Sequence, residues 1–144
     1  MQTPMLTVIR DIVAAAGQTE AFATDAHFHL RIENAPYQRL VIESWPTPDP
    51  LLGETRRISV AHYYEQHGDL MADPEMELTD NGYPISIKMD GAGVYRCCYW
   101  RNETGQVMER YRERQDQLAF LRMWARNIRA QGFIRAAKVP QVSR

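Results

Sequence analysis

The sequence predicts an α+β domain: an antiparallel meander sheet of about five to seven strands, flanked by an N-terminal helix and a longer C-terminal helix. Three observations carry this reading. Apolar residues recur at three- and four-residue spacing only near the two ends of the chain. Between them the spacing drops to two, the period of a half-buried strand. The strand-like runs are also joined by short turn signals, too short for the crossovers that parallel strands need.

The first helix is read from Thr3-Pro4 followed by Met5, Leu6, Ile9, Ile12 and Val13. Thr3 suits the N-cap, Pro4 the first turn, and Gly17 the stop. In His27–Glu33, Phe28, Leu30 and Ile32 face one way, while His27, His29, Arg31 and Glu33 face the other. A more apolar strand follows over Arg39–Trp45. Trp45-Pro-Thr-Pro-Asp-Pro50 is an extended loop, because its prolines lack amide donors and have a fixed φ.

Arg57–Glu65 alternates again, with Ile58, Val60, His62 and Tyr64 on one side, and Gln66–Asp69 is a turn. Met76 and Leu78 oppose Glu75 and Glu77. Asp80-Asn81-Gly82 marks a hairpin. Ile85, Ile87 and Met89 lead to the turn Asp90–Gly93, and Val94–Arg101 reads as one further strand. A single helix over 104–131 would bring Arg110 and Arg114 into its apolar stripe. A turn at 102–105, a strand Gln106–Arg112 and a helix from about Glu113 avoid this. The stripe Leu118, Leu121, Trp124, Ala125, Ile128 is then clean, and Gly132 ends it.

At 144 residues, with 44 % apolar and 24 % charged residues, the chain is expected to be one domain. Its core runs from about 5 to 133, and 134–144 is expected to be a flexible tail. No window approaches the roughly 18 uninterrupted apolar residues of a membrane span. Arg10 and Asp11 interrupt the apolar N-terminus, so no secretory signal is expected. Adjacent Cys97 and Cys98 read as two reduced thiols of a cytoplasmic protein. The net charge of −1 hides an uneven distribution: residues 1–100 carry 7 basic and 14 acidic side chains, residues 101–144 carry 10 and 4. The favoured account is internal, with the basic end lying against the acidic sheet; steering of a partner is the alternative.

The densest chemistry lies in Ile58–Leu78, ISVAHYYEQHGDLMADPEMEL, with two histidines, five carboxylates and no Lys or Arg. His27-x-His29 on a strand presents two imidazoles on one face, and Glu65, Glu75 and Glu77 are possible oxygen donors for a divalent metal. Against this, His62 points to the apolar side and His67 lies in a turn. A polar sheet face is the plainer reading, and no cofactor is expected. Neither cysteine sits in a nucleophile motif, Ser59 and Ser86 lack nucleophile-elbow glycines, and Gly91-Ala-Gly93 is only a turn. Arg110, Arg112, Arg114, Arg122, Arg126 and Arg129, near Tyr95, Tyr99 and Trp100, offer cations and rings for a single strand of nucleic acid. A pI near 6.4 speaks against a dedicated DNA binder.

The segments ISVAHYYEQHGDLMADPEME and FLRMWARNIRAQGF resemble small proteobacterial proteins of an uncharacterised domain family, some of them borne on plasmids, phages or genomic islands. A more distant similarity joins Val60–Tyr64 and Phe120–Gly132 to a second uncharacterised family, with a VRLYHDA-type strand before a FLxxWLxxxLxxG helix. The resemblance spans about residues 27–133 and implies the α+β layout, but no activity and no catalytic residues.

The function expected is that of a small, non-catalytic, cytoplasmic binding protein. If the mobile-element resemblance holds, it interferes with or remodels a host protein or nucleoprotein complex. Its contacts are expected at Tyr63, Glu65, Asp69, Asp73, Glu75 and Glu77, with Arg122, Arg126 and Arg129 as a second group. A metal-dependent hydrolase using His27, His29 and carboxylates is the rival, and single-strand binding through the arginines the third reading. No membrane partner is expected, and the sheet edge or aromatic face leaves room for a homodimer.

Overall fold

The computed structural model describes residues 2–140. Helix α1 (Pro4–Ala15) begins as the sequence predicts: the Thr3 hydroxyl accepts from the Leu6 amide at 3.3 Å and donates to the Gly82 carbonyl at 2.9 Å. Met5, Leu6, Val8, Ile9, Ile12 and Val13 are all buried. A six-residue helix α2 (Thr19–Thr24), which the sequence reading missed, buries Phe22.

Six strands then form one antiparallel meander in sequence order: β1 (Phe28–Ile32), β2 (Arg39–Pro46), β3 (Arg56–Gln66), β4 (Asp69–Thr79), β5 (Pro84–Met89) and β6 (Val94–Cys97). The β3–β4 turn places His67 and Gly68 at φ 53° and 85°, two successive left-handed residues that tight hairpins require.

The expected single strand Val94–Arg101 is broken at Cys98. Its amide donates to the Ile85 carbonyl at 2.8 Å, while its carbonyl accepts from the Arg110 amide at 2.7 Å. The chain thus leaves β5 for a separate hairpin, β7 (Tyr99–Arg101) and β8 (Val107–Glu109). Helix α3 (Tyr111–Ala130) starts two residues earlier than expected and buries the predicted stripe. Past Gly132 the chain forms α4 (Phe133–Ala137), burying Phe133 at the end of the expected core and Ala137 within the segment expected to be a tail. Residues 141–144 of that tail lie outside the described residues. No described helix is long and apolar enough to cross a membrane.

Register decides which side is core. Ile32, Leu40 and His62 stand opposite one another on successive strands, as do Leu30, Ile42, Val60, Met76 and Ile87. These rows meet the apolar sides of all four helices in one continuous cluster. Burying each large member contributes roughly 1.5–3 kcal/mol.

His62 lies on this side, as its alternation predicts, with the rings of Trp124 and Phe133 each 5.6 Å away. Its Nδ1–H donates to the Arg39 carbonyl at 3.2 Å. Burial lowers its pKa below 6.5, against smaller opposing effects of backbone hydrogen bonds and Asp73. The unfolded chain therefore takes up the proton first as the solution is acidified. Stability should be level above neutrality and decline as pH falls below 6.5, down to the lowered folded value. Melting temperatures of the protein and of His62→Gln from pH 8 to pH 5 check this; an equal acid decline in both would refute it.

Candidate binding surface

The helices cover one side of the sheet and leave the other open. Across the open side, register aligns His29, Glu43, Ser59, Glu77, Ser86 and Cys97 in one row spanning all six strands. The neighbouring row runs Arg31, Val41, Ala61, Glu75, Lys88, Tyr95. Trp45 and Tyr63 share this face by alternation.

The middle of both rows is made of small side chains. Val41, Ser59, Ala61 and Ser86 are only 6, 4, 1 and 5 % exposed, although no helix lies over them. They form a floor below the longer side chains of Trp45, Tyr63, Glu43, Glu75 and Glu77. Tyr95 stands at one border, 66 % exposed, and its phenol pKa is pushed up to about 12, chiefly by a hydrogen bond with Cys97.

The three central carboxylates are held differently. Glu43 Oε1 lies 3.2 Å from His27 Nε2. Glu77 Oε1 lies 3.4 Å from Arg57 Nη1, while Arg57 Nη2 donates to Glu54 Oε2 at 3.0 Å. The Glu54 side chain is only 2 % exposed, and its other oxygen accepts from the Leu52 amide at 2.8 Å. Glu75 has no cationic partner among the described residues; its Oε1 accepts from the Tyr63 hydroxyl at 2.7 Å. Burial, then this bond and the Glu75 charge, drive the Tyr63 pKa far above its usual value, so the phenol stays a donor. Of the three, Glu75 is thus the one without an ion pair among the described residues; Lys88, opposite it on β5, pairs with Asp90 at 3.5 Å.

The structure divides the expected contact residues. Tyr63, Glu65, Glu75 and Glu77 share the open face, with Glu65 at its end, 3.5 Å from Arg39. Asp69 pairs with Gln66 at the turn, on the opposite alternation. Asp73 falls where β4 spends three residues against two of β3, and its charge is felt by His62 on the helical side. Arg122, Arg126 and Arg129 are exposed on α3, in the helical layer across the sheet from Glu75. The basic end therefore does not lie against the acidic sheet as expected. Arg129 binds Asp11 of α1 at 2.7 Å, Arg101 binds Asp49 at 2.9 Å, and Arg114 stands 3.4 Å from Glu109. Arg122 and Arg126 have no ion pair among the described residues. Tyr99 is buried and Trp100 lies under the Arg110 guanidinium at 5.9 Å, so neither joins Tyr95 in a stacking platform.

His27 and His29 flank Glu43, but no group of three His, Cys, Asp or Glu side chains among the described residues stands close enough to hold a metal ion. Glu43 on this face, and the Glu54–Arg57 pair beside it, were not foreseen. Alternation from Trp45 was the signal that could have found Glu43.

A family model described as a domain of unknown function (DUF6908) matches residues 7–134. The chain belongs to that family. No curated protein and no solved structure matches it.

Proposed function

We propose that this member of the DUF6908 family is a non-catalytic binding protein whose open sheet face receives a basic segment of a partner protein. The observation that supports this most is Glu75: a half-buried carboxylate at the centre of an uncovered sheet, bonded to a phenol and in no ion pair among the described residues, since Lys88 opposite it on β5 pairs with Asp90 at 3.5 Å. A lysine or arginine placed there gains a charge-assisted hydrogen bond. Trp45, Tyr63 and Tyr95 supply ring faces for its stem and its charge. The small floor of Ser59, Ala61 and Ser86 lets such a chain approach the sheet closely. The same acidity disfavours a second copy of this face as occupant, since carboxylates would meet carboxylates.

A cytoplasmic setting fits the two free cysteines. The narrower reading, a mobile-element protein that disables a host protein or nucleoprotein complex, rests on the family resemblance; the acidic face supports it because nucleoprotein components expose basic segments. The arginines of α3 are a separate surface, and nothing in their geometry favours nucleic acid over solvent.

A photo-crosslinking residue at position 95, with position 126 as the control, tests the proposal in cells of the native host. A defined adduct is expected from position 95 alone. Glu75→Lys with Glu77→Lys should reduce it at least tenfold, in line with losing roughly 1.5–3 kcal/mol from a charged hydrogen bond. The reading is lost if position 126 gives the same adduct, or if charge reversal in a protein of unchanged melting temperature leaves the yield intact.

A further inference from the structure

On the helical side, a cavity of about 550 Å³ opens between α1, α2 and the start of β3. It is remote from the open sheet face and independent of the reading given above. Val13, Ala14, Phe22 and Ile58 make its walls, Ser44 and Arg56 its polar end. Its volume falls within the roughly 300–1,000 Å³ typical of small-molecule sites, which combine apolar walls with a few fixed polar groups.

Arg56 is the unusual member. It is half-buried, yet no carboxylate lies within ion-pair distance among the described residues. Nη2 donates to the Asp25 carbonyl at 2.8 Å and to Ser44 Oγ at 3.1 Å, two neutral oxygens. Nε is shielded from solvent and has no acceptor. Nη1 has no acceptor among the described residues either. The two carboxylates that also line the cavity, Asp11 and Asp80, are already engaged. Asp11 binds Arg129 at 2.7 Å, and Asp80 Oδ2 accepts from the Thr55 amide and hydroxyl at 3.1 Å each. Arg10, also on the cavity, adds a second positive charge. A partly desolvated guanidinium without a counter-ion is costly, and a carboxylate is the group its donor geometry fits. Two guanidinium groups beside two carboxylates on a cavity with apolar walls suit a single negative charge with an apolar body better than a multiply charged phosphate.

We infer that this cavity binds a small organic monocarboxylate, its carboxylate against Arg56 and its apolar body between α1 and α2. The neutral oxygens of Asp25 and Ser44 hold the guanidinium in place without cancelling its charge.

The test titrates the full-length protein with heptanoate, using 1-heptanol as the neutral analogue of matching length. Amide NMR shifts of Phe22, Ala23 and Arg56 report on the cavity. Saturable shifts are expected with heptanoate, at an affinity at least tenfold above that of heptanol. Arg56→Gln should abolish this preference. Because that change also removes two structural hydrogen bonds, Ala23→Leu provides a second variant: it fills the α2 side from an exposed helix position and should block heptanoate in a folded protein. Equal affinity for heptanoate and heptanol, no saturable binding, or unchanged binding by Ala23→Leu would each overturn the inference.

Discussion

Replacing Glu54 by alanine is expected to destabilise the protein by about 3 kcal/mol, although the residue belongs to a loop. Its carboxylate is among the least exposed in the chain and closes two interactions, with Arg57 at 3.0 Å and with the Leu52 amide at 2.8 Å. Without it, a half-buried guanidinium keeps Glu77 as its only carboxylate partner among the described residues, at 3.4 Å, beside two long bonds to neutral oxygens of Thr47 and Asp49, and the loop amide loses its acceptor. In urea the midpoint should fall with little change in slope. The Gln variant separates the parts: it can still accept from Leu52 but no longer carries charge. Changing Glu54 and Arg57 together to leucine should cost less than Glu54→Ala alone, because no charge is then stranded. A loss below roughly 0.5 kcal/mol for Glu54→Ala, the usual range for surface substitutions, would show that the pair is solvated and inconsequential.

The same variant has a consequence at the binding face. Arg57 is shared between Glu54 and Glu77, so its charge is divided between the loop and the open sheet. Once Glu54 is gone, Arg57 is free to pair fully with Glu77 and to remove one of the three central anions. Glu54→Gln should therefore weaken crosslinking from position 95, even though Glu54 does not belong to that surface.

Local chemistry made most of the fold legible. Thr3-Pro4 ahead of an i, i+3, i+4 pattern yields α1, and strict alternation yields the strands and the inward turn of His62. What escaped was of two kinds. The six residues of α2 are too short to display a helical period, and only Phe22 is buried there. The break at Cys98 leaves no mark on alternation, because it arises when the amide and carbonyl of one residue go to different neighbours.

The site was legible only strand by strand. Alternation puts Glu75 and Glu77 on one face, but it does not count the extra residue in β4 that takes Asp73 out of their regular register. Nor does it line up Glu43 with Glu77, which share a row, with Ser59 between them, only through the register of β2, β3 and β4. Arg56 and Arg57 are the sharpest instance. Alternation sends them to opposite faces, but only the assembled sheet reveals that one meets Glu54 and Glu77 while the other ends in an apolar cavity with neutral partners.

Gly82→Ala should be the most damaging single methyl in the protein, at about 4 kcal/mol, from overpacking together with loss of the helix cap. Asn-Gly at this turn reads as hairpin chemistry, and Gly82 does adopt φ 84°. Its position matters more than its conformation. The Asn81 carbonyl accepts from the Thr3 amide at 3.2 Å, and the Gly82 carbonyl accepts the Thr3 hydroxyl, so the β4–β5 turn docks onto the N-terminus of α1. A methyl at residue 82 meets the Thr3 hydroxyl and lies 2.7 Å from Leu6 Cβ, both on a helix wedged into the core. Gly105 provides the control: its φ is also 84°, but nothing lies within 4 Å of an added Cβ. Gly105→Ala should cost only the left-handed strain, about 1 kcal/mol. The difference between the two variants in urea denaturation isolates the docking of the turn on α1. Adding Thr3→Ala to Gly82→Ala should restore part of the loss by removing the nearest clash. Equal costs at 82 and 105 would mean that α1 yields freely, and that the turn and the helix cap are not one unit.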